Sequence, residues 1–275
     1  MADTATQSRT WTFEGYDGGQ RVACTWLNPA PRYVALLCHG YGEHVGRYQH
    51  VAEHLVRHGA VVHGMDHVGH GRSAGERVLI PDFEPVVEDF HMLDLAARGR
   101  SSGLPVVLIG HSMGGTVAAR YAQRYGESLA VLVLSGPVLG SWGVLPQLLA
   151  LEEIPETPID PATLSRDPSV GAAYAEDPLV WHGPFKRATL EGLAEALDRI
   201  ARDGHLGDVP TLWLHGEDDP LVPIEGTREG VERLRGRNFR SKTYPQARHE
   251  IFNEVNKDEV LSDVTTFIDE HLGRP

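Results

Sequence analysis

Cysteine is almost missing from this chain: two of 275 residues, Cys24 and Cys38, each within a segment that reads as a strand. Two buried thiols build no disulfide framework and suit a reducing compartment. No apolar run approaches the roughly 20 residues that span a bilayer. The opening M-A-D-T-A-T-Q-S-R-T has no apolar core of a signal peptide. The expected location is therefore cytoplasmic, or peripheral at membranes. Basic residues are outnumbered, 25 Lys and Arg against 38 Asp and Glu for a net charge of −13, which argues against nucleic acid as the partner. No G-x-x-x-x-G-K-[ST] occurs to cradle nucleotide phosphates, and in Gly40-x-Gly42-x-x-x-Gly46 the third glycine falls one residue late for a dinucleotide loop. His50, His54 and His58 share a helical face without a companion H-E-x-x-H motif, which reads as a polar face and not a metal site. The chain is expected to need no metal and no cofactor.

What is present is a steady alternation. After a hairpin at 10–13 and 21–27, turned by Asp17-Gly18-Gly19, short apolar runs at 33–38, 60–65, 105–109, 129–134, 211–214 and 240–244 read as buried strands. Amphipathic stretches at about 48–58, 83–98, 113–125, 224–235 and 254–272 separate them. Strands that are β-branched and nearly free of charge, alternating with helices, predict an α/β fold with a mostly parallel sheet covered on both faces. The rhythm breaks between 137 and 208, where prolines and acids surround two helical stretches, about 143–153 and 189–203. That length is excessive for a loop in a compact domain. It is read as a helical cap inserted after the sixth strand, leaving 1–136 and 209–275 as the core.

The strongest chemical signal is Gly110-His111-Ser112-Met113-Gly114, a G-x-S-x-G between a buried strand and a helix. A strand-to-helix turn this sharp pushes the serine hydroxyl out of the sheet, and the flanking glycines let strand and helix approach. The helix N-terminus supplies amides for developing negative charge. A serine hydroxyl needs a base, and the base an orienting carboxylate, which follow the elbow in the order acid, then histidine. Of the downstream histidines, only His249 lies between the last strand and the final helix. The acid comes from His215-Gly216-Glu217-Asp218-Asp219-Pro220. Chemistry alone leaves those three carboxylates ambiguous; spacing from Gly216 favours Asp219, with Asp218 in reserve. Like charges so close cannot all enter one dry site, so two should face water or a backbone donor. Cys38-His39-Gly40-Tyr41 follows the third strand, offering the Tyr41 amide to an oxyanion beside that of Met113. His67 and His70, in a glycine-rich loop, are expected to hold backbone by hydrogen bonds.

At this point the chain resembles the bacterial monoacylglycerol lipases of the α/β-hydrolase superfamily. The resemblance rests on H-G-Y-G-E-H-V-G-R-Y at 39–48, D-H-V-G-H-G-R-S at 66–73, G-H-S-M-G-G at 110–115, L-S-R-D-P at 164–168, D-P-L-V at 177–180, H-G-E-D-D at 215–219 and R-H-E at 248–250. It implies an α/β-hydrolase fold, with an eight-stranded sheet, flanking helices and an inserted cap. It also implies a Ser112–Asp219–His249 triad, with Tyr41 and Met113 as oxyanion donors. The implied activity is monoacylglycerol hydrolysis through an acyl-enzyme, with a broader carboxylesterase or lysophospholipase as the alternative and a catalytically silent scaffold as a third. The implied partner is a lipid ester, and the apolar stretch 141–151 would line an acyl tunnel, touch a lipid interface or simply pack as a helix on the sheet domain. By the same carry-over Glu43 and Arg47 lie where glycerol is recognised, or form a salt bridge that anchors the loop. Two departures stand out: Tyr41 is bulkier than the small residue often found there, and Phe252 replaces a histidine of some relatives.

Overall fold

A computed structural model describes residues 6–273; the expectation for the opening residues 1–5, and the ends of the expected core segments, lie outside them. Eight strands form one sheet: β1 Ser8–Glu14, β2 Gln20–Trp26, β3 Tyr33–Cys38, β4 Ala60–Met65, β5 Val106–His111, β6 Val131–Ser135, β7 Thr211–Gly216 and β8 Phe239–Tyr244. Their order is β1-β2-β4-β3-β5-β6-β7-β8. The β1–β2 and β2–β4 pairs are antiparallel, and every later pair is parallel.

Strands buried on both faces leave alternate side chains to two separate cores. In β3, Val34, Leu36 and Cys38 pack with Val86 and Phe90 of helix α2 (Glu84–Arg100) and Val117 of α3 (Met113–Tyr125). Tyr33, Ala35 and Leu37 face the other way, toward Val51 and Leu55 of α1 (Gln49–Arg57) and Val264 of α8 (Lys257–Leu272). Helix α7 (Ile224–Leu234) completes the first layer through Val231.

The strand order reverses at β3 and β5, since β3 continues to β4 on one side and β5 to β6 on the other. Loops leaving two such strands diverge and open a crevice at their carboxyl ends. Cys38 lies opposite Gly110 in register, so the loop after β3 and the turn after β5 emerge side by side.

Three helices occupy the segment between β6 and β7: α4 Val144–Ala150, α5 Pro168–Glu176 and α6 Arg187–Asp203. The sequence reading has no counterpart to α5. Its start is signalled by Asp167, whose carboxylate accepts from Ser169 N–H at 3.0 Å, and by Pro168 in the first turn. Only Tyr174 of its nine residues is buried, so no apolar stripe marks it. Among the described residues no helix is long and apolar enough to cross a membrane.

Helix α3 presses so tightly on β3 that a Cβ at Gly114 would lie 2.2 Å from the Cys38 carbonyl oxygen. Gly114→Ala should therefore destabilise the fold by roughly 1–3 kcal/mol through overpacking. An unchanged urea midpoint would show that α3 can move off the sheet.

Candidate active site

Ser112 stands between β5 and α3 with φ +55° and ψ −122°, a conformation that costs an ordinary residue about 1–3 kcal/mol. The turn is possible because backbone closes in around it. A Cβ at Gly110 would meet the Gly114 carbonyl at 2.4 Å and Ala118 at 2.6 Å. Ser112 N–H donates to the Ser135 carbonyl at 3.0 Å, tying the turn to the end of β6. Its hydroxyl lies 2.9 Å from His249 Nε2, and His249 Nδ1 lies 2.7 Å from Asp219 Oδ2.

The three carboxylates after β7 separate as electrostatics requires. Glu217 and Asp218 are exposed, while Asp219 is buried. Asp219 Oδ1 accepts from the amides of Leu221 and Val222 at 3.0 and 2.9 Å. Behind it sits His215, fully buried and 3.3 Å from Asp219 Oδ2. Trp213 Nε1 donates to His215 Nδ1, so His215 carries its proton on Nε2 and donates to the Val222 carbonyl at 2.8 Å. Burial disfavours the Asp219 charge, but His249 and His215 hold the carboxyl well below its usual range. For His249 burial works against protonation, and the Asp219 carboxylate outweighs it, so the imidazole titrates above its ordinary 6.5. His111, 4.8 Å away ring to ring, is driven down to about 4 by burial and by the His249 charge. It stays neutral while its neighbour titrates.

The loop after β3 crosses directly above the serine: a Cβ at Gly40 would lie 3.2 Å from that of Ser112. Glu43 fixes this turn. Its Oε1 accepts from Gly40 N–H and Tyr48 O–H, both at 2.6 Å, and its Oε2 from Arg47 at 2.7 Å. Arg47 also makes a two-pronged contact with Glu250 at 2.6 and 2.8 Å. Both carboxylates are buried; the salt bridge and a place in the cavity lining coexist, since Glu43, Arg47 and Glu250 together line the cavity. Beneath the loop His39 Nδ1 donates to the Gly40 carbonyl at 2.8 Å and its Nε2 accepts from His67 N–H at 3.0 Å. His67 Nε2 donates to the His39 carbonyl, and His70 Nδ1 to that of Val68. These histidines hold backbone, and burial keeps all three neutral.

Ser112 opens into a cavity of about 710 Å³ counting its mouth, lined by the apolar Phe83, Val138, Trp142, Phe185, Leu190 and Leu193 among others. Its polar wall is Glu43, Arg47 and Glu250, with the Arg47 guanidinium 5.0 Å from the Tyr174 ring centre. Tyr41 and Met113 also line it, and the Tyr41 ring stacks on Phe185 at 4.8 Å. Phe252 is buried in the α1–α8 core, outside that lining.

Sequence reasoning passed over His215, Glu250 and Tyr174. Glu250 adjoins His249, but nothing in a linear motif shows a carboxylate reaching back to Arg47. His215 reads as the end of a strand and gains meaning only once Asp219 folds over it. The histidines at 50, 54 and 58 diverge in their partners: His50 bonds the Phe252 carbonyl, and His58 reaches Tyr33 and Asp269. Among the described residues no group of three or more His, Cys, Asp or Glu is placed to hold a metal.

Comparison with known proteins gives consistent likenesses. A family model described as serine aminopeptidase, S33 (Hydrolase_4) matches residues 29–256. The monoacylglycerol lipase of Mycolicibacterium smegmatis is 38% identical over 95% of this chain and 97% of its own. The human monoglyceride lipase is 32% identical over 86% of this chain and 82% of its own. The crystal structure of Paleococcus ferrophilus monoacylglycerol lipase superposes with a TM-score of 0.77 at 27% identity, covering 90% of this chain and 98% of that one.

The buried Glu43 makes a pH prediction. Burial opposes its charge, but Arg47, His111, Tyr48 and the Gly40 amide lower its pKa in the fold. Its stabilisation is thus present above the unfolded carboxylate value and lost as pH falls through the depressed folded one. Glu43→Gln should cost about 3 kcal/mol at pH 7, and the gap to wild type should close on acidification toward pH 3. A gap in urea midpoints that stays constant with pH would show that charge is not what Glu43 contributes.

Proposed function

The chain belongs to the Hydrolase_4 family and, within it, to the monoacylglycerol lipases, and we propose that it cleaves monoacylglycerols to glycerol and a free fatty acid with Ser112 as nucleophile. The observation that carries this reading is the hydrogen-bonded row Ser112–His249–Asp219 beneath an apolar cavity with one polar wall. His249 Nε2 takes the hydroxyl proton as Ser112 Oγ bonds to the ester carbonyl carbon. The carbonyl electron pair moves to oxygen, where the amides of Tyr41 and Met113 stabilise it; one such donor is typically worth about 3 kcal/mol. Collapse of this intermediate breaks the ester C–O bond, and His249 returns its proton to the departing glycerol oxygen. Water then gives a proton to His249 and its oxygen to the acyl carbon. The serine leaves with that proton, and the fatty acid is released. Asp219 keeps the Nδ1–H tautomer throughout and offsets the imidazolium charge.

In this reading 137–208 is the cap whose Trp142, Phe185, Leu190 and Leu193 surround the acyl chain. The wall of Glu43, Arg47, Glu250 and Tyr174 meets the glycerol hydroxyls. Val144 and Leu151 are exposed, large and apolar at either end of α4, and form the part of the cap assigned to transient contact with a lipid interface. The enzyme works in the cytoplasm, reaching membranes only peripherally.

A second acyl chain on the glycerol would press hydrocarbon on the buried charges of the polar wall, at a cost of several kcal/mol. Monoacylglycerols should therefore be hydrolysed at least 100-fold faster than di- or triacylglycerols of the same acid, with Ser112→Ala as the inactive control. Efficient triacylglycerol turnover would reduce the assignment to a general lipase.

The same mechanism fixes a pH dependence. Only neutral His249 accepts the serine proton, so kcat/KM should fall as pH drops through a value above 6.5, the ordinary histidine value from which His249 is raised. A profile flat down to pH 5 with chemistry rate-limiting would exclude a histidine base. The stability contribution runs the other way. A raised pKa favours folding below the unfolded value, and that gain is lost as pH rises through the folded one.

A further inference from the structure

We propose that Glu254 is a positioning residue for His249, acting by clasping the cap segment 162–166 to the histidine loop. Its carboxylate is fully buried and touches neither the cavity nor the reacting atoms. Oε1 accepts from the amides of Arg248 at 2.9 Å and Arg166 at 3.1 Å; Oε2 accepts from Arg166 Nε and Val255 N–H, both at 2.9 Å. One carboxylate thus gathers donors from the residue before His249, from its own turn and from the cap. Burial opposes its charge, yet these donors keep its pKa below the ordinary carboxylate value.

Around this clasp the two segments are stitched along their length. Glu250 N–H donates to the Leu164 carbonyl at 2.8 Å, and His249 N–H points to that of Thr163 at 3.5 Å. Ser165 Oγ donates to the Asn253 carbonyl at 3.0 Å, and Arg248 Nη1 reaches the carbonyls of Ala162 and Ser165. Arg166 spans the loop, reaching Gln246 before His249 and Asn256 after it. Leu164 meanwhile puts its side chain in the cavity wall. This part of the cap is therefore a fixed support of the histidine and no free lid. Losing the Glu254 charge leaves Arg166 with its neutral partners Gln246 and Asn256 alone, loosens the segment and lets the His249–Asp219 contact drift, where displacements near 1 Å can cost about 100-fold in rate.

The inference rests on the Ser112–His249–Asp219 assignment but not on the lipid substrate, so the test uses p-nitrophenyl butyrate on the full chain, with active sites counted by a fluorophosphonate. Glu254→Gln keeps an acceptor for the Arg248 and Arg166 amides, removes the one facing Val255 N–H and Arg166 Nε, and drops the charge. It should lower kcat per titrated site about tenfold with KM within about twofold, and move the acid limb of kcat/KM to lower pH. Arg166→Gln, on a half-buried side chain, should act in the same direction, and the double variant should be no worse than Glu254→Gln alone. Full kcat per titrated site and an unmoved acid limb in both variants, with only the melting temperature lowered, would overturn the proposal and leave a structural anchor. A wild type inert to both ester and fluorophosphonate would instead overturn the catalytic assignment on which the inference stands.

Discussion

Ser112 is held at φ +55° by backbone that comes too close for side chains, and the remainder of the site is arranged around that one turn. At Gly110 and Gly114 a Cβ would strike carbonyl oxygens of α3 and of the β3 end at 2.4 and 2.2 Å. The approach aims the first turn of α3 at the cavity and brings the loop after β3 over the serine. The imidazole reaches this turn from the loop after β8, and the carboxylate behind it from the loop after β7. The turn can remain strained because the large two-sided core under it over-determines its position.

Charge is managed by pairing within this small volume. Asp219 faces His249, while Glu43 and Glu250 share Arg47. The other histidines nearby, His39, His67, His70 and His111, are kept neutral by burial. In a medium of low effective dielectric an unpaired charge would be costly, and each of these groups has a partner or no charge. The Glu43–Arg47–Glu250 bridge is mechanical as well as electrostatic, since it ties the loop bearing Tyr41 to the residue following His249. The two sides of the reacting centre are thereby set in register with each other.

The segment between β6 and β7 joins this arrangement at several points. Trp181 N–H donates to the Gly42 carbonyl at 2.7 Å, Tyr41 stacks on Phe185, and residues 162–166 pair with the histidine loop. A segment joined to both the loop after β3 and the loop bearing His249 shapes the cavity and ties those two loops together.

Local chemistry and short periodicity are legible in the amino-acid string. All eight strands are marked within a residue or two of their observed ends: the inner ones by apolar runs, because a strand covered on both faces admits almost no polar residue, and the half-exposed edge strands β1 and β8 by their place beside a turn or in the strand–helix alternation. Ser112 was legible from G-x-S-x-G between strand and helix, and His249 from its place after the last strand. Tertiary structure decided what depends on meeting across the chain. Glu217, Asp218 and Asp219 are alike as a string; only the fold buries one and puts His215 and two amides around it. Helix α5 left no stripe because its single buried residue, Tyr174, packs against a cluster that exists only after folding. That Glu43 and Arg47 meet Glu250, some two hundred residues away, in one bridge is likewise visible only in the fold. Glu254 gave no signal at all, since a buried carboxylate is recognised by the donors that reach it, and those come from three places in the chain.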